Sequence, residues 1–573
     1  MIGLGFQKPI SDKEREKNNQ NRHGFVLATL AVLGIFIYLF TEIYHPLGII
    51  SPKDFANNFG FTLKHVFDSD ENVDCEIYIS NTSLFSNDQE RLILFLGSAI
   101  AFLLAYYLPF KLKRAALTFS FLTIVIILYG IRPIAGLLGS HIIVYLILHP
   151  LNLNRKFLAW LPGSFIYLTF SEPSSLIPAV IFNTVFFGYL SFFCYWFILR
   201  NLLDKDKFHR VTGTIAVQSA GIITLLGSSI EGLGGSEWKL PLGILLFFFH
   251  WRRLFIYHMD FKSGRIPKDL TLLSYLSIFF SPGQIANWSW GSSIGQGYSY
   301  TNDRFYNKDK NQLVLDGLKL LGWSIFYLAI GDWIKYNLIY YARHEMGIPV
   351  FWRLRELSCH FIDGGQAPVL TIWFSCLFDQ IKWFLLMTGV LHFKVGIWKI
   401  CGYDIEPNMN RPWLATNLAN LWGRITLHYR DFLIRCFYYP VFFRFFKKNL
   451  YLRLFAAIMA SAGFGNLFWG NIIRRWIGRG LEWRYAIGLL KTWPHFVTLG
   501  FGIWVSAVWQ LIKKDKTRKP WTLDRKLPLD LISMYITLQY YSLTHVFFYT
   551  CSRGTVWDFW RLFFAGFGIN LDP

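Results

Sequence analysis

Apolar runs approaching the roughly 20 residues that carry a helix across a bilayer core recur along the whole chain. They start at Gly24–Phe40 and continue through Leu92–Phe110, Leu117–Tyr129, Ile142–Leu148, Ile177–Leu199, Val211–Leu226, Leu242–Phe255 and Thr271–Phe280. Leu318–Ile330, Leu370–Val390, Leu450–Ile473, Tyr485–Leu511 and Leu531–Phe548 follow, then a shorter run from Phe559 to Phe567. Hydrocarbon offers no water to an open backbone, so such segments fold as helices that satisfy their own amides. The expected fold is all-α: a polytopic integral membrane protein with roughly 11 to 14 membrane helices, the shortest of them re-entrant. Composition agrees. Of 573 residues 53% are apolar and 16% are charged, against roughly 25% charged in soluble proteins. The 19% of aromatic residues suits interfacial belts. Disorder is excluded, because this chain can bury ample apolar surface.

The charge balance is 57 basic against 36 acidic residues, or +21. A basic balance can mark a nucleic-acid partner, but here the basic residues sit in short loops between apolar runs, as membrane loops do under the positive-inside rule. No nucleic-acid partner is expected. Lys8, Lys13, Arg15, Lys17 and Arg22 precede the first run, and Lys111, Lys113 and Arg114 follow the second. Between them lies an acidic loop, 44–90, with Asp54, Asp68, Asp70, Glu71, Asp74 and Glu76. That asymmetry places the N-terminus in the cytoplasm and the acidic loop outside, with the basic clusters Arg252–Arg253, Arg444–Arg453 and Lys513–Lys526 again cytoplasmic.

Several chemistries find no foothold. The 7 cysteines form no Cys-x-x-Cys pair, so neither a zinc nor an iron–sulfur site is expected, nor any other metal or cofactor. No P-loop appears, which disfavours an ATP-driven pump. No internal repeat supports a transporter. Glycines inside the runs read as close-packing positions between helices.

The stretch from His392 to Pro440 is unusually polar for its setting. Asn420, Arg424, His428, Asp431 and Arg435 keep a spacing of three or four, which would put them on one helical face. Such a helix either lies on the leaflet surface as an amphipathic element or turns its polar face into a water-filled cavity, where ionisable residues are functional.

This stretch resembles the signature region of the membrane-bound O-acyltransferases (MBOAT), especially bacterial members that acylate extracellular polysaccharides. The matching residues are Gly402, then Asn410, Arg411, Pro412, Trp413, Leu414 and Ala415, then Trp422 and Arg424, then Tyr439 and Pro440. Ala460–Trp469, which includes Asn466, resembles the family's Gly-rich histidine helix, and Phe279–Pro282 its Phe-Pro entry to a polar loop. The likeness spans roughly 270–480. Together with the apolar runs and the charge pattern it divides the chain into four regions: a cytoplasmic segment 1–23, membrane helices over 24–269, an MBOAT-like core over 270–480 and closing membrane helices over 481–573. It also implies helices around a central cavity and transfer of an acyl group from a thioester donor to a hydroxyl of a cell-surface glycan or lipid. Membrane lipids and subunits of a larger membrane complex are the further partners it suggests.

The departures from that pattern are specific. Where the family carries a polar Asn, His or Asp just after its Trp-x-Arg motif, this chain has Ile425 and Thr426. Where the family carries its histidine, taken as general base, this chain has Leu467 or Gly470. Neither can take a hydroxyl proton near pH 7, a task that suits histidine. Two histidines are candidate substitutes: His428, two positions past Thr426, and His495, which opens the next apolar run. His545, within the last long run, is costly to bury and so of interest. His250, His392 and Lys394 read as helix-end residues, and Cys359 beside His360 lacks an orienting acid for a nucleophilic role. The candidate site is therefore His428 and His495 as bases, with Asn410, Arg411, Trp422, Arg424, Thr426, Asp431 and Asn466 lining a cavity. The alternative is a catalytically inactive subunit that keeps the frame without the chemistry.

Overall fold

In the computed structural model of the protein the described residues are 11–19, 24, 26–34, 88–129, parts of 138–149 and 253–280, 297–334, 338–351, 354–473, 488–513, 527–546 and 555–571. The acidic loop 44–90 up to residue 87, Cys75, the runs over 177–226 and the basic segment 514–526 lie outside them. The described residues form helices joined by turns, with one isolated antiparallel bridge, Phe305 to Tyr403.

In chain order these helices include α1 (Asp12–Asn18), α2 (Asp88–Tyr107), α3 (Phe110–Tyr129), α4 (Gly297–Asp303), α5 (Lys310–Trp333) and α6 (Val369–Ile400). After them come α7 (Leu418–Trp422), α8 (Leu427–Leu433), a π-helical turn π1 (Ile434–Tyr438), α9 (Leu450–Ile458), a long π-helix π2 (Met459–Ile473), α10 (Trp493–Lys513) and α11 (Leu527–His545). Among the described residues 4 helices are long and apolar enough to cross a membrane: Lys310–Gly331, Val369–Ile400, Leu450–Phe468 and Gly488–Lys513.

Helix α5 starts at Asp309, whose carboxylate accepts the amides of Asn311 at 2.9 Å and Gln312 at 3.2 Å. Such a cap satisfies two of the orphan donors of a first turn. Helices α5 and α6 form an antiparallel pair whose seam is made of small residues. Gly317, Ser324 and Gly331 recur on α5 at the heptad interval, and Gly389 and Gly396 do so on α6. A Cβ on Gly317 would lie 2.8 Å from the Gly396 carbonyl oxygen, and one on Gly396 would lie 3.1 Å from the Gly317 carbonyl oxygen. The Ser324 hydroxyl donates to the Gly389 carbonyl at 2.6 Å. Small residues along the seam let the two backbones approach closely.

Helix α10 runs antiparallel to the continuous α9–π2 segment. Trp504 Nε1 donates to the Tyr451 carbonyl at 3.1 Å, Gly500 packs on Met459, Gly463 sits beside the Phe496 carbonyl, and Asn471 Nδ2 donates to Thr492 Oγ1 at 2.7 Å. Each antiparallel pair gathers its basic ends: Lys310 lies at the same end as Lys399, and Arg453 at the same end as Lys513.

Beyond the end of α6 the chain is tied back to the start of α5. The Tyr306 amide donates to the Gly402 carbonyl at 2.7 Å and the Asp404 amide to the Arg304 carbonyl at 2.9 Å. The Asp404 carboxylate, almost fully buried, takes Lys399 Nζ, Lys308 Nζ at 2.9 Å and Asn307 Nδ2 at 3.3 Å. Burial alone would raise its pKa, but the two ammonium groups outweigh burial and hold it below the ordinary carboxylate value. A depressed folded-state pKa gives stability that is present above the unfolded value of about 4 and lost as pH falls through the depressed one. The melting temperature should therefore fall on acidification below about pH 4, and Asp404→Asn should flatten that decline while lowering the neutral-pH value. An unchanged acid profile in the variant would remove Asp404 from this role.

Candidate functional site

The polar stretch does not form the single helix that its spacing suggests. It is a closed loop, 408–427, pinned at its neck, followed by α8. The Asn410 amide donates to the Arg424 carbonyl at 2.9 Å, and the Leu427 amide to the Asn408 carbonyl at 2.8 Å. Asn408 Oδ1 takes the His428 amide at 2.9 Å. Two residues flanking this neck are left-handed: Arg411 at φ 45° and Thr426 at φ 42°. For a β-branched threonine, and for an arginine directly before proline, that conformation is strained, at about 1–3 kcal/mol each. The left-handed Thr426 breaks the run between α7 and α8, so the expected Asn-Arg-His-Asp-Arg face is split over two short helices and π1. Thr426→Asn, a residue that tolerates the left-handed region, should raise stability by up to about 1 kcal/mol. A thermal shift in the opposite direction would refute the strain at this position.

Helix α8 is buried throughout most of its length, and several of its polar side chains reach partners within the protein. Asp431, 1% exposed, pairs with Arg435 Nε at 2.8 Å. The His428 ring meets the Glu406 carbonyl through Nε2 at 3.0 Å. A carbonyl only accepts, so Nε2 carries the proton. The ring also stands edge-on to Tyr300, with centroids 5.5 Å apart. Arg304 lies over the Tyr300 ring at 3.7 Å and reaches Glu406 Oε1 at 3.1 Å. From below, Asp260 Oδ2 takes the Ser299 amide at 3.0 Å. Gly297, at φ 62°, lets α4 approach Asp260, since a Cβ there would stand 2.8 Å from the same oxygen. Burial raises the Asp260 pKa, partly offset by the Ser299 amide and by Arg435. Burial likewise raises the Tyr300 pKa, keeping it a neutral phenol. Asp260, Ser299, Tyr300, Arg304, Glu406, His428, Asp431 and Arg435 thus converge where α4, α8 and the loop before Asn410 meet.

Arg424 turns back on its own loop. Its Nε donates to Asn420 Oδ1 at 2.8 Å and its Nη1 to the Asn410 carbonyl at 3.1 Å. Burial, and then the neighbouring charge of Arg411, lower its pKa. Trp422 and Asn466 are buried, and the Trp422 Nε1 and Asn466 Oδ1 atoms have no hydrogen-bond partner among the described residues. Asn466 lies on π2, which packs against both α8 and π1.

His495 lies in a separate neighbourhood from His428, on α10. Its Nδ1 meets the Thr544 carbonyl of α11 at 2.8 Å. Nδ1 therefore carries the proton, and the lone pair of the neutral ring lies on Nε2. His545 stands beside it with ring centroids 4.7 Å apart, and Trp383 of α6 closes the cluster at 5.8 Å from His545. The register of α10 against π2 sets the depth of this histidine. Gly463 is level with Phe496 and Asn471 with Thr492, so Leu467 is level with Pro494 and His495.

Of the residues that the sequence singles out, His428, His495, Asp431, Trp422, Thr426 and Asn466 are buried, whereas Asn410 and Arg411 are exposed. The sequence does not single out Asp260, Ser299, Tyr300, Arg304 or Glu406. Their signal is charge beside apolar runs, but only the fold says which charges meet. Compared with the models of known families and with curated proteins, the chain matches none.

Proposed function

We propose that this chain is an MBOAT-like membrane enzyme that moves an acyl group from a thioester donor to a hydroxyl of a cell-surface glycan or lipid, with His495 as general base. The observation that carries this reading is the level of His495. It lies level with Leu467, one of the two positions, Leu467 or Gly470, where the family's histidine is expected, and the Thr544 carbonyl fixes its Nδ1 proton. In the proposed step Nε2 takes the hydroxyl proton as the oxygen attacks the thioester carbonyl, the C–S bond breaks, and the thiolate leaves. A buried donor such as Trp422 Nε1 has the character needed to stabilise an oxyanion. The His428 ring is oriented in the same way, with Nε2 donating to the Glu406 carbonyl, and its amide is also tied to Asn408 Oδ1, which assigns it to the frame in this reading.

A second reading, a non-catalytic subunit of a membrane complex, is favoured by the apolar Leu467 and by the use of His428 as a structural tie. The test is acyl incorporation into surface glycan or lipid in cells that carry the chain, lack it, or carry His495→Ala at equal membrane levels. Acylation that depends on the chain and on His495 supports the enzyme. No chain-dependent acylation supports the subunit.

A further inference from the structure

We propose that Arg411 and Arg424 together form a binding site for a phosphate ester group. Four observations carry it. The loop neck brings the two residues together, with the Asn410 amide bonded to the Arg424 carbonyl at 2.9 Å, and the Arg411 charge acts on the Arg424 guanidinium. Neither has an ion-pair partner among the described residues. The Arg424 guanidinium is oriented by its bonds to Asn420 Oδ1 and the Asn410 carbonyl, which use Nε and Nη1 and leave Nη2 for a ligand. Arg411 is exposed and held in a left-handed conformation directly before Pro412, a strain that the fold maintains at this one arginine.

Two like charges held together without a carboxylate repel, and a dianion relieves both. Guanidinium forks match phosphate oxygens bidentately, and a doubly charged phosphate suits a pair of them better than a single carboxylate does. The phosphate could belong to a soluble phosphorylated cofactor or to a lipid headgroup. The site does not depend on whether the chain transfers acyl groups.

The experiment uses the full chain in nanodiscs of neutral lipid. Inorganic pyrophosphate is titrated by calorimetry, and phosphatidic acid is compared with phosphatidylcholine by native mass spectrometry. The wild type should bind one of these phosphates saturably. Arg411→Gln should weaken that binding at least tenfold, as expected for loss of a charge-assisted contact. Arg411→Gly separates ligand binding from folding: it relieves the left-handed backbone, so the unliganded melting temperature should hold or rise while phosphate binding is lost. Pyrophosphate binding alone assigns a soluble ligand, and phosphatidic acid binding alone assigns a headgroup. Binding of neither, or equal binding by wild type and both Arg411 variants, overturns the proposal.

Discussion

Gly317→Val should prevent normal accumulation of the protein, or lower its melting temperature by more than any substitution in the polar loop does. A Cβ at Gly317 would stand 2.8 Å from the Gly396 carbonyl oxygen and 3.1 Å from the Ile400 amide nitrogen. Both are backbone atoms of the facing helix, so no rotamer change can relieve the contact. The helices must separate, and the Ser324 bond to the Gly389 carbonyl, two turns along the same seam, must lengthen with them. Overpacking a core costs about 1–3 kcal/mol, and a backbone clash belongs at or above the top of that range. The control is Gly322→Val on the same helix, where a Cβ meets nothing within 4 Å. That variant should behave as wild type apart from a small propensity term. Equal melting temperatures for the two variants would show that the seam is not the stabilising contact.

The seam shows what the sequence could and could not reveal. Helix length and apolarity depend on local composition, so α5, α6, α9–π2 and α10 were legible as apolar helices long enough to cross a membrane. The role of small residues in spans was legible as a class, because close packing selects them. Which glycine faces which depends on the pairing of helices far apart in sequence, and no local pattern encodes that. The polar helix failed for a different reason. A spacing of three or four is compatible with one continuous helix, but it carries no information about the backbone at Thr426. A residue that ordinarily avoids the left-handed region occupies it because the bonds from Asn408 and Asn410 close the loop around it. Local propensity argued for continuity, and tertiary hydrogen bonds decided otherwise.

The same distinction governs the candidate site. His428 attracts attention in the sequence because it lies two positions from the expected polar residue. In the fold it is spoken for twice, by Asn408 at its amide and by the Glu406 carbonyl at its ring. His495 is the second candidate in the sequence, a histidine after a proline at a helix start. Its level opposite Leu467 follows only from the antiparallel register of α10 and π2. That level is bracketed by the approach of Gly463 to Phe496 and the bond from Asn471 to Thr492.

His495→Ala should lower chain-dependent acylation by about 10²–10⁴-fold, the usual cost of removing a general base, or about 2.7–5.5 kcal/mol of transition-state stabilisation. Alanine also removes the bond to the Thr544 carbonyl and the ring contact with His545, so a structural loss must be separated from a chemical one. His495→Gln does that. Its amide can still donate to the carbonyl across α10 and α11, but it cannot accept a proton at neutral pH. A chemical role predicts that both variants lose acylation while the glutamine variant keeps its membrane level and melting temperature. A structural role predicts that glutamine restores acylation along with stability. His428→Ala provides the converse pattern: it should lower the melting temperature, because the Glu406 carbonyl and the packing on Tyr300 lose their partner, while whatever protein survives acylates at the wild-type rate. If instead His428→Ala abolishes acylation in well-folded protein and His495→Gln leaves it intact, the base lies on α8, and the depth of His495 opposite Leu467 has no catalytic meaning.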